Sequence, residues 1–498
     1  MKILVYSTYF LTPVLERELE IITDHLDRGD EVVIVRCTGQ LRSCLLNIRH
    51  RKSICTYCRA KFMRGYKVAG VPAGCITELP PPPAGNYPEL PETFDDIEDF
   101  KNFTYDDVDL GMAAATTLIF HFNKDHRFNP RQHAREVANE LNMSMYVYRT
   151  MLEKLRSIKP DAVYFFNGRH STTRPVLRAC EKLGITFYAH ERAGTFAKYI
   201  LRENTLPHDV EASSMEIMET WSRGDGDREQ LGKQFFINKR NRVEQRWFSM
   251  VRNQASGLLP NGFDKSRKNV AIYNSTLYEM EGMKGFQNRI YKDEIDGVRS
   301  ILETFKDDKS IQFYLRLHPN LAEKYRHISW ENNTQLRMIK EMESEYDNVV
   351  IIPPASPVDS YALLDNSDVV VVFGSTMGVE AAYWGRPSIL AGAGAAYRTL
   401  DCCYKPESHE ELVELLKSDL EPKDRLEAVK YGYWATNRGI PYKKFRQTGV
   451  LKGEYMGVKI VPGIFTRLYS YLLRALEVRN MRELKEFVID LKKKFSRN

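Results

Sequence analysis

Hydroxyl, imidazole and guanidinium groups recur in the second half of the sequence, each time at the end of a run of apolar residues. Such near-continuous apolar runs are typical of strands that are covered on both faces of a sheet. Ligands of open α/β sheets bind at the carboxyl ends of the strands, so these side chains are the first candidates for a binding site. Hydroxyls and cations at that edge suit a phosphate group. The candidates are Ser275, Thr276, Arg316, His318, Pro319, Ser375 and Thr376.

Ser375 and Thr376 stand between four valines and a segment of small residues, in the stretch VVVVFGSTMGVEAA. Either hydroxyl can cap the helix that this segment predicts. The same turn can also bind a phosphate, because Gly374 and Gly378 would let the backbone approach a ligand closely. Glu380, one turn further on, can hold ribose hydroxyls or interact favourably with the helix dipole. Both interpretations stay open for each residue.

His318 follows a predicted strand and precedes the rigid Pro319, so its imidazole is expected to project from the sheet edge. It can donate a hydrogen bond or a proton to a phosphate that gains negative charge as it leaves. Arg316 lies two residues earlier, on the same strand face, and its charge can reach the same phosphate. The alternative is a capped strand end with a solvated histidine.

Glu191 is the candidate carboxylate in the first half of the sequence, where it follows another predicted strand. A carboxylate at a sheet edge can act as a general base toward an acceptor hydroxyl. The peptide Asn167-Gly168-Arg169, at the end of the neighbouring predicted strand, is expected to help bind that acceptor. The alternative role for Glu191 is an ion pair with Arg192 or Arg174 at the surface.

Two parallel sheets are needed to position these residues. The β-α-β pattern of residues 2–7, 16–26 and 31–35 predicts the first sheet, with a right-handed crossover. A second set of strands begins near Asn269. We therefore predict an α/β protein with two doubly wound Rossmann-type domains, 1–255 and 256–430, that face a cleft. The further predicted strands are 161–166, 186–189, 270–273, 312–317, 349–352, 369–372 and 388–390.

Two other segments depart from this α/β rhythm. Residues 78–110 contain four consecutive prolines and many acidic residues, which predicts a loop-like insertion. Residues 431–498 form a basic segment with amphipathic helices predicted at 464–476 and 481–495. The preferred interpretation is a helix pair that packs back across both domains, and contact with a membrane surface is the alternative.

Three short motifs, taken together, carry a family resemblance. RLHPN at 316–320, FGSTMGVEAAYWGRPSI at 373–389 and HERAG at 190–194 resemble sequences of bacterial GT-B glycosyltransferases that use CMP-activated 2-keto sugars. These enzymes are the sialyl-, polysialyl- and Kdo-transferases, together with related capsule-polysaccharide synthesis proteins. The resemblance covers roughly residues 160–400 and implies a GT-B-like fold, with the acceptor on the first domain and the nucleotide sugar on the second.

The resemblance also implies roles for individual residues. Glu191 matches the general base, and His318 matches the histidine that contacts the donor phosphate and assists departure of the nucleotide. Ser375 and Thr376 match the hydroxyl pair on the same phosphate. The implied donor is a nucleotide sugar, with CMP favoured and CDP or UDP left open, and the implied acceptor is a polysaccharide or a lipid-linked sugar.

The predicted reaction is therefore glycosyl transfer, with inversion because there is a single candidate base. No Asp-x-Asp pair stands at a predicted strand end, so we expect transfer without a metal or other catalytic cofactor. Three alternatives stay open. They are a CDP-polyol phosphotransferase, a sugar-nucleotide 2-epimerase and a polysaccharide-export scaffold without catalytic activity.

Four of the eight cysteines lie close together in a basic segment at 37–67. Two of them have the Cys-x-x-Cys spacing of a structural zinc site, and the other two can complete an all-thiolate tetrahedron. The alternative is that they are small buried residues without a metal. The surrounding lysines and arginines can bind an anionic polymer or a lipid phosphate. The four cysteines are Cys37, Cys44, Cys55 and Cys58.

The composition limits the remaining classes of function. A net charge of +6 over 498 residues is too small and too diffuse to indicate nucleic-acid binding. The apolar start at 2–7 is soon followed by charged residues, and no apolar run approaches the roughly 20 residues of a membrane span. We therefore expect a cytoplasmic protein with reduced cysteines, able to contact the inner face of the membrane.

Overall fold

The computed structural model describes residues 1–85, 87, 89–122, 127–245, 248–275, 290–321, 334–478, 483–484 and 487–488. Thr276 and most of the helix predicted at 481–495 lie outside the described residues. In the described part of the chain, no helix is long and apolar enough to cross a membrane.

Two sheets organise the chain. The strands are β1 (Lys2–Ser7), β2 (Glu31–Arg36), β3 (Ile76–Glu78), β4 (Ala162–Phe166), β5 (Thr186–Arg192), β6 (Lys198–Glu203), β7 (Lys268–Tyr273), β8 (Ile311–Arg316), β9 (Val349–Ile352), β10 (Val369–Val372), β11 (Ser388–Leu390), β12 (Ile440–Pro441), β13 (Phe445–Gly449) and β14 (Lys452–Tyr455). The first sheet has the order β12-β6-β5-β4-β1-β2-β3, and the second has the order β11-β10-β7-β8-β9.

Helices pack on both sheets. They are α1 (Val14–Asp27), α2 (Lys52–Val68), α3 (Ile97–Asn102), α4 (Leu110–His121), α5 (Ala134–Ile158), α6 (Arg174–Leu183), α7 (Val210–Arg223), α8 (Arg228–Arg240), α9 (Glu294–Thr304), α10 (Thr334–Glu345), α11 (Ser360–Asn366), α12 (Met377–Tyr383), α13 (His409–Lys417), α14 (Arg425–Asn437) and α15 (Ile464–Leu476).

Strand order places a switch point in each sheet. The parallel strands β3-β2-β1-β4-β5 and β9-β8-β7-β10-β11 both follow the doubly wound 3-2-1-4-5 order. Successive crossovers leave in opposite directions from β1 and from β7, so a crevice opens between β1 and β4 and between β7 and β10. The α/β fold class is thereby confirmed. Ser275 follows β7, and Ser375 and Thr376 follow β10, so these three candidates lie beside the second crevice.

The valine run of β10 shows why the second sheet is so apolar. Val370 and Val372 lie in one core cluster, and Val369 and Val371 lie in another on the opposite face. Because successive side chains of a strand point to opposite faces, a sheet covered on both sides needs apolar residues at every position. Branched valines also suit extended backbone.

The segment 78–110 was predicted as a loop-like insertion, but it contains helix α3 and contributes to a core. The Asp96 side chain caps α3 by accepting from the backbone N–H groups of Glu98 and Asp99. Phe94 and Phe100 pack with α4 and α5 in one apolar cluster. The four prolines earlier in the segment led to the loop prediction, and a helix of six residues is too short to show helical periodicity in the sequence.

The last segment returns to the first sheet. After α14, strand β12 pairs with β6, and the β13–β14 hairpin packs near α1. The predicted helix at 464–476 coincides with α15, although 431–498 also holds three short strands that were not predicted. The domain boundaries at 255 and 430 stay predictions. Ile217, Phe235 and Phe236 come before residue 255 in the chain, but they pack in a core cluster of the second sheet.

Candidate functional site

The crevice of the second sheet lies between Ser275, just after β7, and Gly374, just after β10. A methyl group built on Gly374 would lie 3.6 Å from Oγ of Ser275 and 3.6 Å from the carbonyl oxygen of Gly394. Oγ of Ser275 is buried and makes no hydrogen bond with the described residues. A buried hydroxyl without a partner is costly, so this group is well suited to receive a polar ligand atom.

Glu294 fixes the backbone of this strand end. The backbone N–H of Ser275 donates to both carboxylate oxygens of Glu294, at 2.9 and 3.2 Å. Burial raises the pKa of Glu294 to about 8, although the contacts with Ser275 and Asn274 act in the opposite direction. Glu294 is therefore largely protonated near neutral pH, and it shapes the turn without adding a full negative charge.

The hydroxyls of the Gly-Ser-Thr turn have different partners. Oγ of Ser375 accepts from the backbone N–H of Met377 at 3.3 Å, whereas Thr376, the N-cap residue of α12, makes no side-chain capping hydrogen bond. Oγ1 of Thr376 donates to Oε1 of Glu380 at 2.8 Å and accepts from Nζ of Lys239 at 2.9 Å. Both residues are partly exposed.

Glu380 is part of a buried ion pair. Its Oε1 also accepts from Nζ of Lys239 at 2.6 Å, and its Oε2 accepts from the hydroxyl of Tyr361 at 2.6 Å. The residue is 1% exposed. Contact with a ribose, one of the two predicted roles, would require the side chains around Glu380 to move, because the carboxylate is buried. In this arrangement Glu380 instead holds Lys239 beside the turn.

Lys239, at the end of α8, brings a cation to the turn that follows β10. Its ammonium group has three N–H donors, and the contacts with Thr376 and Glu380 use two of them. The side chain is 32% exposed, so the third donor is open to a ligand. A charge-assisted hydrogen bond from an ammonium group is a strong contact for a phosphate oxygen.

Arg316, the last residue of β8, does not point into the crevice. Arg316 is buried, and its guanidinium donates to Oγ of Ser360 and to the carbonyl oxygens of Pro353 and Ser356. It therefore anchors the loop between β9 and α11, and its donors are not directed at an open phosphate site. Burial lowers the pKa of Arg316 to about 10, so it stays charged at neutral pH.

His318 lies at the sheet edge, as predicted. Its backbone N–H donates to Oδ1 of Asn274 at 3.0 Å, which ties the ends of β7 and β8 together. Pro319 begins a short 3-10 turn in which the N–H of Leu321 donates to the His318 carbonyl oxygen. Both His318 and Pro319 are partly exposed.

The first sheet places Glu191 in a ring of donors. Its Oε2 accepts from Nδ2 of Asn167 at 2.8 Å and lies 3.8 Å from Nε2 of His208, while its Oε1 lies 3.8 Å from Arg17. Burial by itself raises the pKa of Glu191, but His208, Arg17 and Arg192 together hold it well below its usual range. Glu191 is therefore a carboxylate at neutral pH.

Asn167 reaches Glu191 because the turn after β4 is left-handed. Asn167 has φ 62° and Gly168 has φ 87°. Asparagine and glycine tolerate this region better than other residues, so the predicted Asn-Gly peptide allows the turn. Arg174, one of the two arginines considered as an alternative ion-pair partner of Glu191, pairs with Asp109.

A fully buried polar layer lies behind Glu191. Nη1 of Arg17 donates to Nδ1 of His190 at 3.3 Å, so the proton of neutral His190 is on Nε2, which lies 3.6 Å from Oε1 of Glu18. The hydroxyl of Ser7 donates to the other oxygen of Glu18. Burial raises the pKa of Glu18 to about 8 and lowers the pKa of His190 well below its usual range.

The four clustered cysteines, Cys37, Cys44, Cys55 and Cys58, form no disulfide bond. Among the described residues, no group of three or more His, Cys, Asp or Glu side chains has an arrangement that could hold a metal ion. The sulfur of Cys37 accepts from the N–H of Gly39, and that of Cys55 accepts from Nδ2 of Asn47. Burial raises the pKa values of Cys44, Cys55 and Cys58, which favours thiols over thiolates. Zinc binding by this cluster stays a prediction.

Several residues of both crevices were not found from the sequence. They come from helices and loops that carry no motif, and only the packing of those elements on the sheets brings them to the site. The sequence around Glu191 gave no indication that its partners would come from α1 and from the segment before α7. The residues are Arg17, Glu18, His208, Lys239 and Glu294.

Comparison with known proteins gives distant likenesses. Residues 332–400 match a family described as "Protein of unknown function (DUF354)", and no curated protein matches the chain. A solved structure of Thermosulfurimonas dismutans KpsC, beta Kdo 2,4 transferase, is 14% identical, with 63% of this chain and 87% of that chain covered at a TM-score of 0.34. A solved structure of Thermosulfurimonas dismutans KpsC, beta Kdo 2,7 transferase, is 11% identical, with 66% of this chain and 90% of that chain covered at a TM-score of 0.35.

A second kind of solved structure is also similar. The UDP-GlcNAc 2-epimerase from Neisseria meningitidis, bound to UDP-GlcNAc, is 12% identical, with 89% of this chain and 96% of that chain covered at a TM-score of 0.25. The family match spans β10, α12 and the turn between them, so it includes Ser375, Thr376 and Glu380.

Proposed function

We propose that this protein is a glycosyltransferase that moves a sugar from a nucleotide-activated donor to a polysaccharide or lipid-linked acceptor, with a CMP-linked 2-keto sugar as the favoured donor. One observation carries the proposal. The edge of the first sheet holds an ionised carboxylate, Glu191, and the edge of the second holds hydroxyls and an ammonium group, Ser275 and Lys239. Glycosyl transfer needs a proton acceptor on one side and stabilisation of a leaving phosphate on the other.

The donor phosphate is assigned to the crevice between β7 and β10. Oγ of Ser275 is buried without a partner among the described residues, and Lys239 has one N–H donor beyond its two protein contacts. His318 supplies an imidazole on the neighbouring strand. These groups stabilise the charge that collects on the nucleotide as the bond from its phosphate oxygen to the anomeric carbon breaks. Because these groups supply positive charge and hydrogen bonds, we propose transfer without a divalent metal ion.

The acceptor is assigned to the crevice of the first sheet. Its hydroxyl oxygen forms the new bond to the anomeric carbon, and the nucleotide leaves with the electron pair of the broken bond. The hydroxyl proton passes to the pair formed by Glu191 and His208, whose Oε2 and Nε2 lie 3.8 Å apart. A single displacement of this kind inverts the anomeric centre.

A thermal-shift panel with CMP, CDP and UDP tests the donor assignment, because a ligand that binds the folded state stabilises it, and a tighter ligand stabilises it more. We expect one nucleotide to raise the melting temperature of the wild type, and both Ser275→Ala and His318→Ala to reduce that shift. Absence of a shift with all three nucleotides would overturn the proposal. Equal shifts in wild type and both variants would overturn the phosphate site.

Product analysis separates transfer from epimerisation. With the nucleotide sugar that corresponds to the nucleotide bound, we expect a glycosylated acceptor and free nucleotide, formed equally well in the presence of EDTA. Conversion of the donor to its 2-epimer without any acceptor would instead identify an epimerase, and loss of activity in EDTA would contradict the metal-independent mechanism.

A further inference from the structure

Helix α15 turns its apolar side away from the protein. Phe465 is 84% exposed, Leu472 is 64% exposed and Leu476 is 83% exposed. Residues three, four and seven positions apart lie on one side of a helix, so these side chains form a continuous stripe. The exposed stripe consists of Ile464, Phe465, Leu468, Tyr469, Leu472 and Leu476.

The opposite side of α15 is polar and faces α2. Ser470 is buried, and Glu477, just after the helix, accepts from the backbone N–H and the hydroxyl of Ser53. Arg474 lies close enough to Arg51 that its charge, after burial, lowers the pKa of Arg51. A surface helix of a globular protein normally buries its apolar stripe, and α15 does the reverse. A contiguous exposed stripe of this size marks an interaction surface.

Charge indicates what covers this surface. Residues 461–498 contain nine Lys and Arg against four Asp and Glu, and the chain as a whole has a net charge of +6. Two of the four acidic residues are directed at the protein, since Glu477 binds Ser53 and Glu483 binds Arg49 and Arg51. The adjacent helix α2 adds exposed basic side chains, which are Lys52, Arg59, Arg64 and Lys67.

We propose that α15 docks this protein on the surface of an anionic lipid bilayer. The apolar stripe enters the boundary between head groups and acyl chains, and the exposed basic residues of the adjacent helix α2 contact the anionic head groups. Thirteen residues of helix are about 20 Å long, which is too short to span a bilayer but sufficient to lie in its plane. The proposal is independent of the reaction assigned to the crevices.

Co-sedimentation of the full chain with vesicles tests this docking. We expect binding to vesicles of phosphatidylcholine with phosphatidylglycerol to be at least tenfold tighter than to pure phosphatidylcholine, and to weaken as salt is raised. Phe465→Ser combined with Leu468→Ser should weaken binding at least tenfold with an unchanged melting temperature. The matched control is Met215→Ser with Met218→Ser, which removes two exposed apolar side chains at the same spacing on α7.

Leu472→Ser with Leu476→Ser is a second, independent variant of the stripe. The proposal is overturned if the wild type does not bind the anionic vesicles, or if both stripe variants bind them as tightly as the wild type does. It is also overturned if sedimentation velocity shows a dimer that both stripe variants convert to monomer, since a second copy of the chain would then cover the stripe.

Discussion

Nε2 of His208 lies 3.8 Å from Oε2 of Glu191, and the other carboxylate oxygen of Glu191 lies 3.8 Å from Nη1 of the buried Arg17. These two contacts, together with the charge of Arg192, hold the pKa of Glu191 well below its usual range against the effect of burial. A base is most effective when its pKa is near the working pH, so Glu191 by itself is a weak proton acceptor. Glu191 can instead orient His208 and stabilise the imidazolium that forms when His208 takes the proton.

Glu191→Gln and His208→Gln should therefore both slow transfer by roughly 100-fold or more, the usual contribution of a positioned base. Nucleotide binding should be unchanged in both variants, because neither residue belongs to the donor crevice. Initial rates of sugar transfer, measured beside the thermal shift with nucleotide, check this. Wild-type rates in His208→Gln would leave Glu191 as the base, and wild-type rates in both would remove the pair from the mechanism.

Glu18 should make stability depend on pH. Its folded-state pKa is raised to about 8, so between about pH 4.3 and pH 8 the folded state keeps a proton that the unfolded state loses. The free energy of unfolding should fall as pH rises through this window, by up to about 1.4 kcal/mol per pH unit. Glu18→Gln removes this titration, so its stability relative to the wild type should increase from pH 5 to pH 8.

Urea denaturation at several pH values measures the effect of Glu18. The matched control is Glu343→Gln, which removes an exposed carboxyl from α10. A constant difference between Glu18→Gln and the wild type over the whole window would show that Glu18 titrates normally in the folded protein.

Lys239→Met should lower both stability and nucleotide affinity. It leaves the buried Glu380 without its cation, which we expect to cost about 1–3 kcal/mol because the lysine itself is partly exposed. The double variant Lys239→Met with Glu380→Gln removes both charges and should recover most of that stability. Both variants should still bind nucleotide at least tenfold more weakly, as expected for loss of a charge-assisted hydrogen bond of about 1.5–3 kcal/mol. Isothermal titration calorimetry of the double variant with nucleotide is the decisive measurement. If the double variant binds nucleotide as tightly as the wild type, Lys239 has only a structural role.

Gly194→Ala should strongly destabilise the fold. A methyl group on Gly194 would lie 1.3 Å from the carbonyl oxygen of Ala435, so the backbone of α14 would have to move. We expect a loss of more than about 3 kcal/mol in urea denaturation, beyond the usual range for overpacking by a side chain. Gly74→Ala is the control, because a methyl group there meets open space. Wild-type stability in Gly194→Ala would mean that α14 does not pack on the turn after β5.

The sequence determined the strands of both sheets and the side chains at their ends. Val349–Ile352, Val369–Val372 and Ser388–Leu390 were predicted with the bounds that the structure has, because a strand buried on both faces leaves a local run of apolar residues. The α/β class follows from the alternation of such runs with helical periodicity. Helix α15 was also predicted correctly, since amphipathic periodicity is local in the same way.

Only the tertiary structure decided what the side chains at the strand ends contact. Arg316 was expected to reach a phosphate and is instead bound to the loop before α11, and Glu380 is paired with Lys239 from a helix more than a hundred residues away. Gly378, expected to admit a ligand, lets α12 pack against Tyr397, whose hydroxyl would be 2.6 Å from an added methyl group. Such contacts depend on the relative placement of elements distant in the chain. Periodicity fixes which side of α15 is apolar, but only packing against α2 decided that this side faces outward.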